Sequence, residues 1–148
     1  MNIHVEIGPA PLTVDRAYQK AMAATNGAIA LFVGTVRDDP TQPVAYLDYE
    51  AYEPLASESL RAIALECRGL YPSLQTAALL HRVGRIGVGE ISVVVAMGAP
   101  HRPDAFGACE RAIARLKTLA PIWKKEVWHN GRTAWGNAPL VSLPHQLQ

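Results

Sequence analysis

Three of the four lysines in this chain fall within the stretch "LKTLAPIWKKE", residues 116–126, as Lys117, Lys124 and Lys125. Lys20 lies far upstream, and ten arginines carry the rest of the positive charge. Two ammonium groups held near one another, and partly withdrawn from water, lower each other's pKa, and a lysine so tuned transfers protons or acts as a nucleophile. At roughly 100° per residue, Phe106, Cys109, Ile113, Leu116 and Ala120 form one apolar arc of a helix that Pro121 must end. Lys117 falls at the margin of that arc. Arg111 and Arg115 project to the opposite face, toward water. The bland alternative for Lys117 is snorkelling, with its stem on the core and its ammonium in solvent.

Other cations stand at the ends of apolar runs. "MGAPHRPDAFG" sets His101 and Arg102 between a buried-strand pattern and the helix that carries Lys117, and a helix N-terminus favours anions. Arginine offers a planar fork for phosphate, and histidine donates a hydrogen bond or shuttles a proton. Arg37, in "GTVRDD", follows another apolar run, with Asp38 and Asp39 as candidate local ion-pair partners. A cationic pocket for a small phosphorylated ligand uses most of these residues. No paired carboxylates, Ser-His-Asp set or phosphate-cradling loop competes with it. "GRIGVGE" lacks the spacing and the following helix, and reads as a bend.

The bulk numbers narrow the class. A formal charge of +1 argues against a general nucleic-acid or membrane-surface binder. The chain is 49% hydrophobic and only 18% charged, against about 25% in ordinary domains, which leans toward a surface partly covered by a second subunit. Cys67 and Cys109 are the only cysteines, lack metal-ligand spacing, and read as small buried hydrophobes in a reducing compartment. Neither a metal nor a cofactor is expected. "MNIHVEIGPAPL" has no basic start and no unbroken apolar core, and no run approaches the roughly 20 apolar residues of a membrane span. The expectation is a cytoplasmic protein forming one domain over residues 1–148.

The elements that must position the cations follow from periodicity. "NIHVEI" alternates as a strand. Thr13 can cap a helix through about Ala24, which Asn26-Gly27 would end. "AIALFVG" (28–34) and "ISVVVAMG" (91–98) read as fully buried strands. "VAYLDYEAY" (44–52) alternates, with Tyr46, Asp48, Glu50 and Tyr52 on one face. Pro54 suits a first helical position, and Ala56, Leu60, Ile63, Cys67 and Leu70 make a stripe. "TAALLHRVGRIGVGE" gives two short strands kinked at its glycines. Asn130-Gly131 marks a tight hairpin. Strands and helices interleave with hairpins, so an α+β sandwich, with helices on a largely antiparallel sheet, fits better than a doubly wound sheet.

With these residues in view, "FVGTVRD", "LDYEAYEPLA", "HRVGRIGVGE", "VVVAMGAPHRPDAF" and "LKTLAPIWKKE" together resemble the molybdopterin synthase catalytic (large) subunit family, over roughly residues 3–135. The resemblance implies an α/β hammerhead with an added antiparallel β region. It also implies conversion of cyclic pyranopterin monophosphate (precursor Z) to molybdopterin, a sulfurtransferase activity that inserts two sulfurs as a dithiolene. The sulfur would arrive on the thiocarboxylated Gly-Gly terminus of a small ubiquitin-like subunit. Two large subunits would form a homodimer at the centre of a heterotetramer.

By resemblance, Lys117 is the principal catalytic lysine and Lys124 the second. Arg37, with the backbone of Thr35 and Val36, belongs to a substrate-binding loop. His101 and Arg102 contact the substrate or its phosphate, and Lys125 is a rim charge. Phe32 and Met97 line the site or pack in the core. Family members can send a basic tail residue across the dimer, whereas no Lys or Arg follows Arg132 here. Either Arg132 substitutes, or the pocket does without it. A reading of another class stands beside the enzyme: a non-catalytic module that holds a phosphorylated metabolite or a partner's tail in the same basic cleft.

Overall fold

The computed structural model describes residues 1–41 and 43–136. In chain order the elements are β1 (Asn2–Gly8), α1 (Val14–Ala21), β2 (Ala28–Thr35), β3 (Val44–Ala51), α2 (Glu53–Leu70), β4 (Thr76–Arg82), β5 (Gly84–Gly87), β6 (Ile91–Ala99), α3 (Arg102–Leu119), β7 (Ile122–Trp128) and β8 (Thr133–Gly136). They form two four-stranded sheets, ordered β1-β4-β6-β2 and β5-β3-β7-β8. Among the described residues only the β1–β4 pairing is parallel; the other pairings are antiparallel. This is the expected α+β architecture, with the second sheet as the added β region.

The first sheet is covered on both faces, which is why its inner strands run continuously apolar over residues 77–80 and 93–97 rather than alternating. Leu79, Val93, Val95 and Met97 meet α2 and α3 on one face, through Leu60, Ile63 and Cys67 of α2 and Ala105, Ala108 and Ala112 of α3. On the other face, Ala17 and Ala21 of α1 cover Ala78, Leu80, Val94 and Ala96. Each fully buried leucine contributes about 1.5–3 kcal/mol by leaving water. A third core of Val36, Val44, Leu47 and Ile86 packs the segment after β2 against the second sheet.

Several local expectations need correction. The run 28–34 is not a fully buried strand: β2 is an edge of the first sheet, and Leu31 and Val33 are exposed. Leu70 is likewise exposed, at the end of α2. The helix capped by Thr13, whose hydroxyl accepts from the Arg16 amide, stops at Ala21. Its end is held by the Asn26 side chain, whose Nδ2 donates to the Ala21 carbonyl and to Thr76 Oγ1, both at 3.0 Å. Gly27 is required for a different reason than a left-handed cap: a Cβ there would lie 2.3 Å from the Pro100 carbonyl oxygen.

Finally, the buried face of α3 is centred on Ala105, Ala108, Cys109, Ala112 and Leu116, while Phe106 is 65% exposed. Alanines fill this face because α3 lies close against both the sheet and α2. Arg111 and Arg115 do not point freely to water; both donate to Glu66 of α2 and tie the two helices together. Cys67 and Cys109 are buried free thiols, pushed up to about 11 chiefly by burial. The hairpin at Asn130-Gly131 is present, with Gly131 at φ 84° in the left-handed region that favours glycine. Among the described residues, no helix is long and apolar enough to cross a membrane.

Candidate active site

The end of the first sheet, the C-terminal turns of α3 and the inner face of the second sheet enclose a cavity of about 530 Å³. Three routes bring cations to it. Lys117 comes from the last turn of α3, Lys124 from β7, and Arg37 from the segment after β2, together with Thr35. The backbone logic is simple. β7 places alternate residues on one face, so Ile122, Lys124 and Glu126 line the cavity. In the antiparallel register Tyr49 lies opposite Lys124, and Leu47 opposite Glu126, so β3 completes that wall. Pro121 ends α3 before β7, and this turn brings Lys117 and Lys124, on two different elements, to one hollow.

Electrostatics set their roles. Lys117 keeps much of its stem exposed, but burial and the neighbouring Lys124 charge lower its pKa, in that order of importance. The lysine at the margin of the stripe is therefore tuned. Arg37 is largely exposed and rests 3.6 Å from Asp39, the local pairing its sequence context allowed. The lining thus combines three cations with the carboxylates of Asp39 and Glu126.

Several other expected site residues stand elsewhere. His101 is the N-cap of α3 and Arg102 its first residue; both are exposed and neither lines the cavity. At a helical rise of about 1.5 Å per residue, Arg102 lies roughly 22 Å along the axis from Lys117. A single copy does not bring them together. Lys125 turns to the other face of β7, where its ammonium sits 5.7 Å from the Trp135 ring centre. Val36 is buried in the third core; its amide donates to the Glu90 carbonyl and its carbonyl accepts from Gly89. Phe32 lines the cavity, whereas Met97 is core. Arg132 borders a separate shallow hollow with Thr41, Trp128 and His129, and the tail from residue 137 onward lies outside the described residues.

Residues 7–119 match the family model described as MoaE protein. The chain belongs to the MoaE family. This MoaE chain is 44% identical over 127 residues to the molybdopterin synthase catalytic subunit of a Nostoc species, covering 85% of this chain and 77% of that one. It is 40% identical over 127 residues to the subunit of the same name from Bacillus subtilis, with 85% and 80% covered. A crystal structure of molybdopterin synthase from Staphylococcus aureus superposes with a TM-score of 0.83 at 36% identity, over 88% of this MoaE chain and 94% of that one. A complex of subunits 1 and 2 of molybdopterin-converting factor from Helicobacter pylori gives a TM-score of 0.71 at 25% identity, over 92% and 90%.

Sequence reasoning passed over His81, Tyr49, Ser92 and Glu126, all of which line the cavity. The signal for His81 was present: a histidine that ends the apolar run "TAALLH", with its side chain on the helix-covered face. His81 is 4% exposed. Burial, followed after the opposing backbone hydrogen bond by the Lys117 charge, lowers its pKa to about 4. The unfolded chain, with an ordinary value near 6.5, therefore binds a proton that the native state refuses. The stability from keeping His81 neutral is complete above about pH 6.5 and drains away as pH falls toward about 4. The total is about 3 kcal/mol. Urea unfolding of wild type and His81→Gln at pH 7 and pH 4.5 checks this: the loss on acidification is expected to be much smaller in the variant.

Proposed function

We propose that this chain is the sulfur-transferring subunit of molybdopterin synthase, acting on cyclic pyranopterin monophosphate with sulfur delivered as the thiocarboxylate of a small ubiquitin-like subunit that ends in Gly-Gly. The observation that carries this reading is the convergence of Lys117 and Lys124, from α3 and β7, with Arg37 on one cavity. A phosphorylated pterin and a thiocarboxylate are both anions, and they repel one another unless cations stand between them. Arg37 suits the phosphate and the two lysines suit the thiocarboxylate.

The chemistry then balances in two stages. The thiocarboxylate sulfur forms a bond to a pterin carbon as a C–O bond breaks, and a lysine ammonium protonates the departing oxygen. Water next adds to the acyl carbon. The C–S bond breaks, sulfur stays on the pterin, and the small subunit leaves as an ordinary carboxylate. Lys117 and Lys124 stabilise the oxyanion that forms in between. One more cycle supplies the second sulfur of the dithiolene.

In this reading the enzyme works as a homodimer within a heterotetramer. Since α3 holds His101 and Arg102 at the end remote from its own lysine, they serve a pocket only if a second copy presents them. The deciding experiment combines the purified chain, a thiocarboxylated small subunit and precursor Z, and follows dithiolene product by mass. Product at stoichiometric yield is expected. No product with a small subunit active in another synthase would overturn the reading.

A further inference from the structure

His81 is a buried histidine with one nitrogen accounted for. Its Nδ1 lies 2.7 Å from the Arg82 carbonyl oxygen, which can only accept, so Nδ1 carries the proton and Nε2 a bare lone pair. Tyr49 packs edge-on against the ring, with centroids 5.0 Å apart and planes at 64°, and fixes its orientation. The ring lines the cavity shared by Lys117 and Lys124. No hydrogen bond reaches Nε2 among the described residues.

A structural role alone does not account for this. Leu79, two residues earlier on the same face, shows that an apolar side chain serves the core there, whereas Nε2 of His81 is not among the fully buried polar atoms that lack a partner and opens on the cavity. The cations of the cavity donate and cannot accept. They suit the anionic groups of a ligand, while its N–H groups need acceptors; Asp39 and Glu126 offer charged ones, and His81 Nε2 a neutral one. A pterin carries ring-amide and amino N–H donors beside its negative charges.

Resting on the function proposed above, we infer that His81 is a substrate-recognition residue whose Nε2 accepts a hydrogen bond from an N–H of the pterin ring, while Arg37, Lys117 and Lys124 hold the anionic groups. The cavity is then divided by hydrogen-bond polarity, with a fixed neutral acceptor facing mobile cationic donors. A heterocycle that lacks the donor would bind less well even with its phosphate intact.

The test uses the full wild-type chain labelled with ¹⁵N-histidine and titrated with precursor Z. The His81 Nε2 resonance is expected in the unprotonated, pyridine-type range, and to move upfield on saturation. In steady-state assays with the thiocarboxylated small subunit, His81→Leu is expected to raise KM for precursor Z about tenfold with kcat within about twofold, and His81→Gln to recover part of that loss. An Nε2 signal unmoved at saturation would overturn the inference, as would a folded Leu variant with wild-type KM, or one that lost kcat alone. The resonance is read on wild type, so a variant that fails to fold does not remove the test. Wild type that forms product while Nε2 stays unmoved defeats the inference alone; wild type that forms none defeats the functional reading beneath it.

Discussion

Lys117→Ala is expected to reduce product formation about a thousandfold while leaving affinity for the small subunit within about threefold of wild type. The asymmetry follows from position. Lys117 reaches the cavity from the last turn of α3, and its stem adds little to the core, so the fold survives its loss. What disappears is a cavity lysine whose pKa is lowered by burial and by the Lys124 charge. Lys117→Arg sharpens the test, because it keeps a cation but gives up a group that can deprotonate. If Arg restores most of the rate, the role is charge stabilisation; if it behaves as Ala does, proton transfer through the amine is required. A module that only binds a phosphorylated metabolite would show weaker affinity in the Ala variant and no turnover in either protein. Single-turnover mass measurement beside a binding titration separates these results.

Trp123→Ala is expected to destabilise the chain by about 3–5 kcal/mol, which lowers Tm by roughly 10 °C at this size. Trp123 is 1% exposed and heads the fully buried side chains by volume. It occupies β7 between Ile122 and Lys124, opposite Glu50 of β3, and turns away from the cavity that both its neighbours line. Removing it leaves a void beneath the strand that aims Lys124, so product formation should fall with stability. Trp123→Phe should cost much less, under about 2 kcal/mol, for a specific reason. The indole Nε1 is buried with no hydrogen-bond partner among the described residues, and the substitution removes that unmatched donor with the missing ring atoms. Thermal unfolding of the three proteins settles the order, and an Ala variant with unchanged Tm would show that β7 is not anchored in this way.

The features legible in the sequence were those carried by short-range pattern. Strand periods, the Thr13 cap, the Asn130-Gly131 turn, the break at Pro121 and the placing of Lys117 at the edge of a stripe all depend on residues a few positions apart. The errors share a cause as well. Phe106 was given to the core because an aromatic ring outweighs alanine on a helical wheel, yet close approach to the sheet and α2 selects alanine at Ala105, Ala108 and Ala112. The run 28–34 is as apolar as an inner strand, but only sheet order reveals that β2 lies at an edge. His101 and Arg102 adjoin the helix that bears Lys117, and nearness on the chain suggested nearness in space; a straight helix places them at its far end. Tyr49 and Glu126 reach the site only through the pairing of β3 with β7, a register no local motif announces.

The two cysteines bear on the sulfur transfer proposed above. Sealed inside the core against the Ala108 and Val95 carbonyls, with their thiols held protonated, Cys67 and Cys109 offer no thiolate on which a sulfane atom could be parked. A catalyst built this way keeps no chalcogen reserve. Under the proposed function, each sulfur atom must be carried in by another molecule, one delivery at a time, which ties turnover to how quickly spent carriers are exchanged for loaded ones.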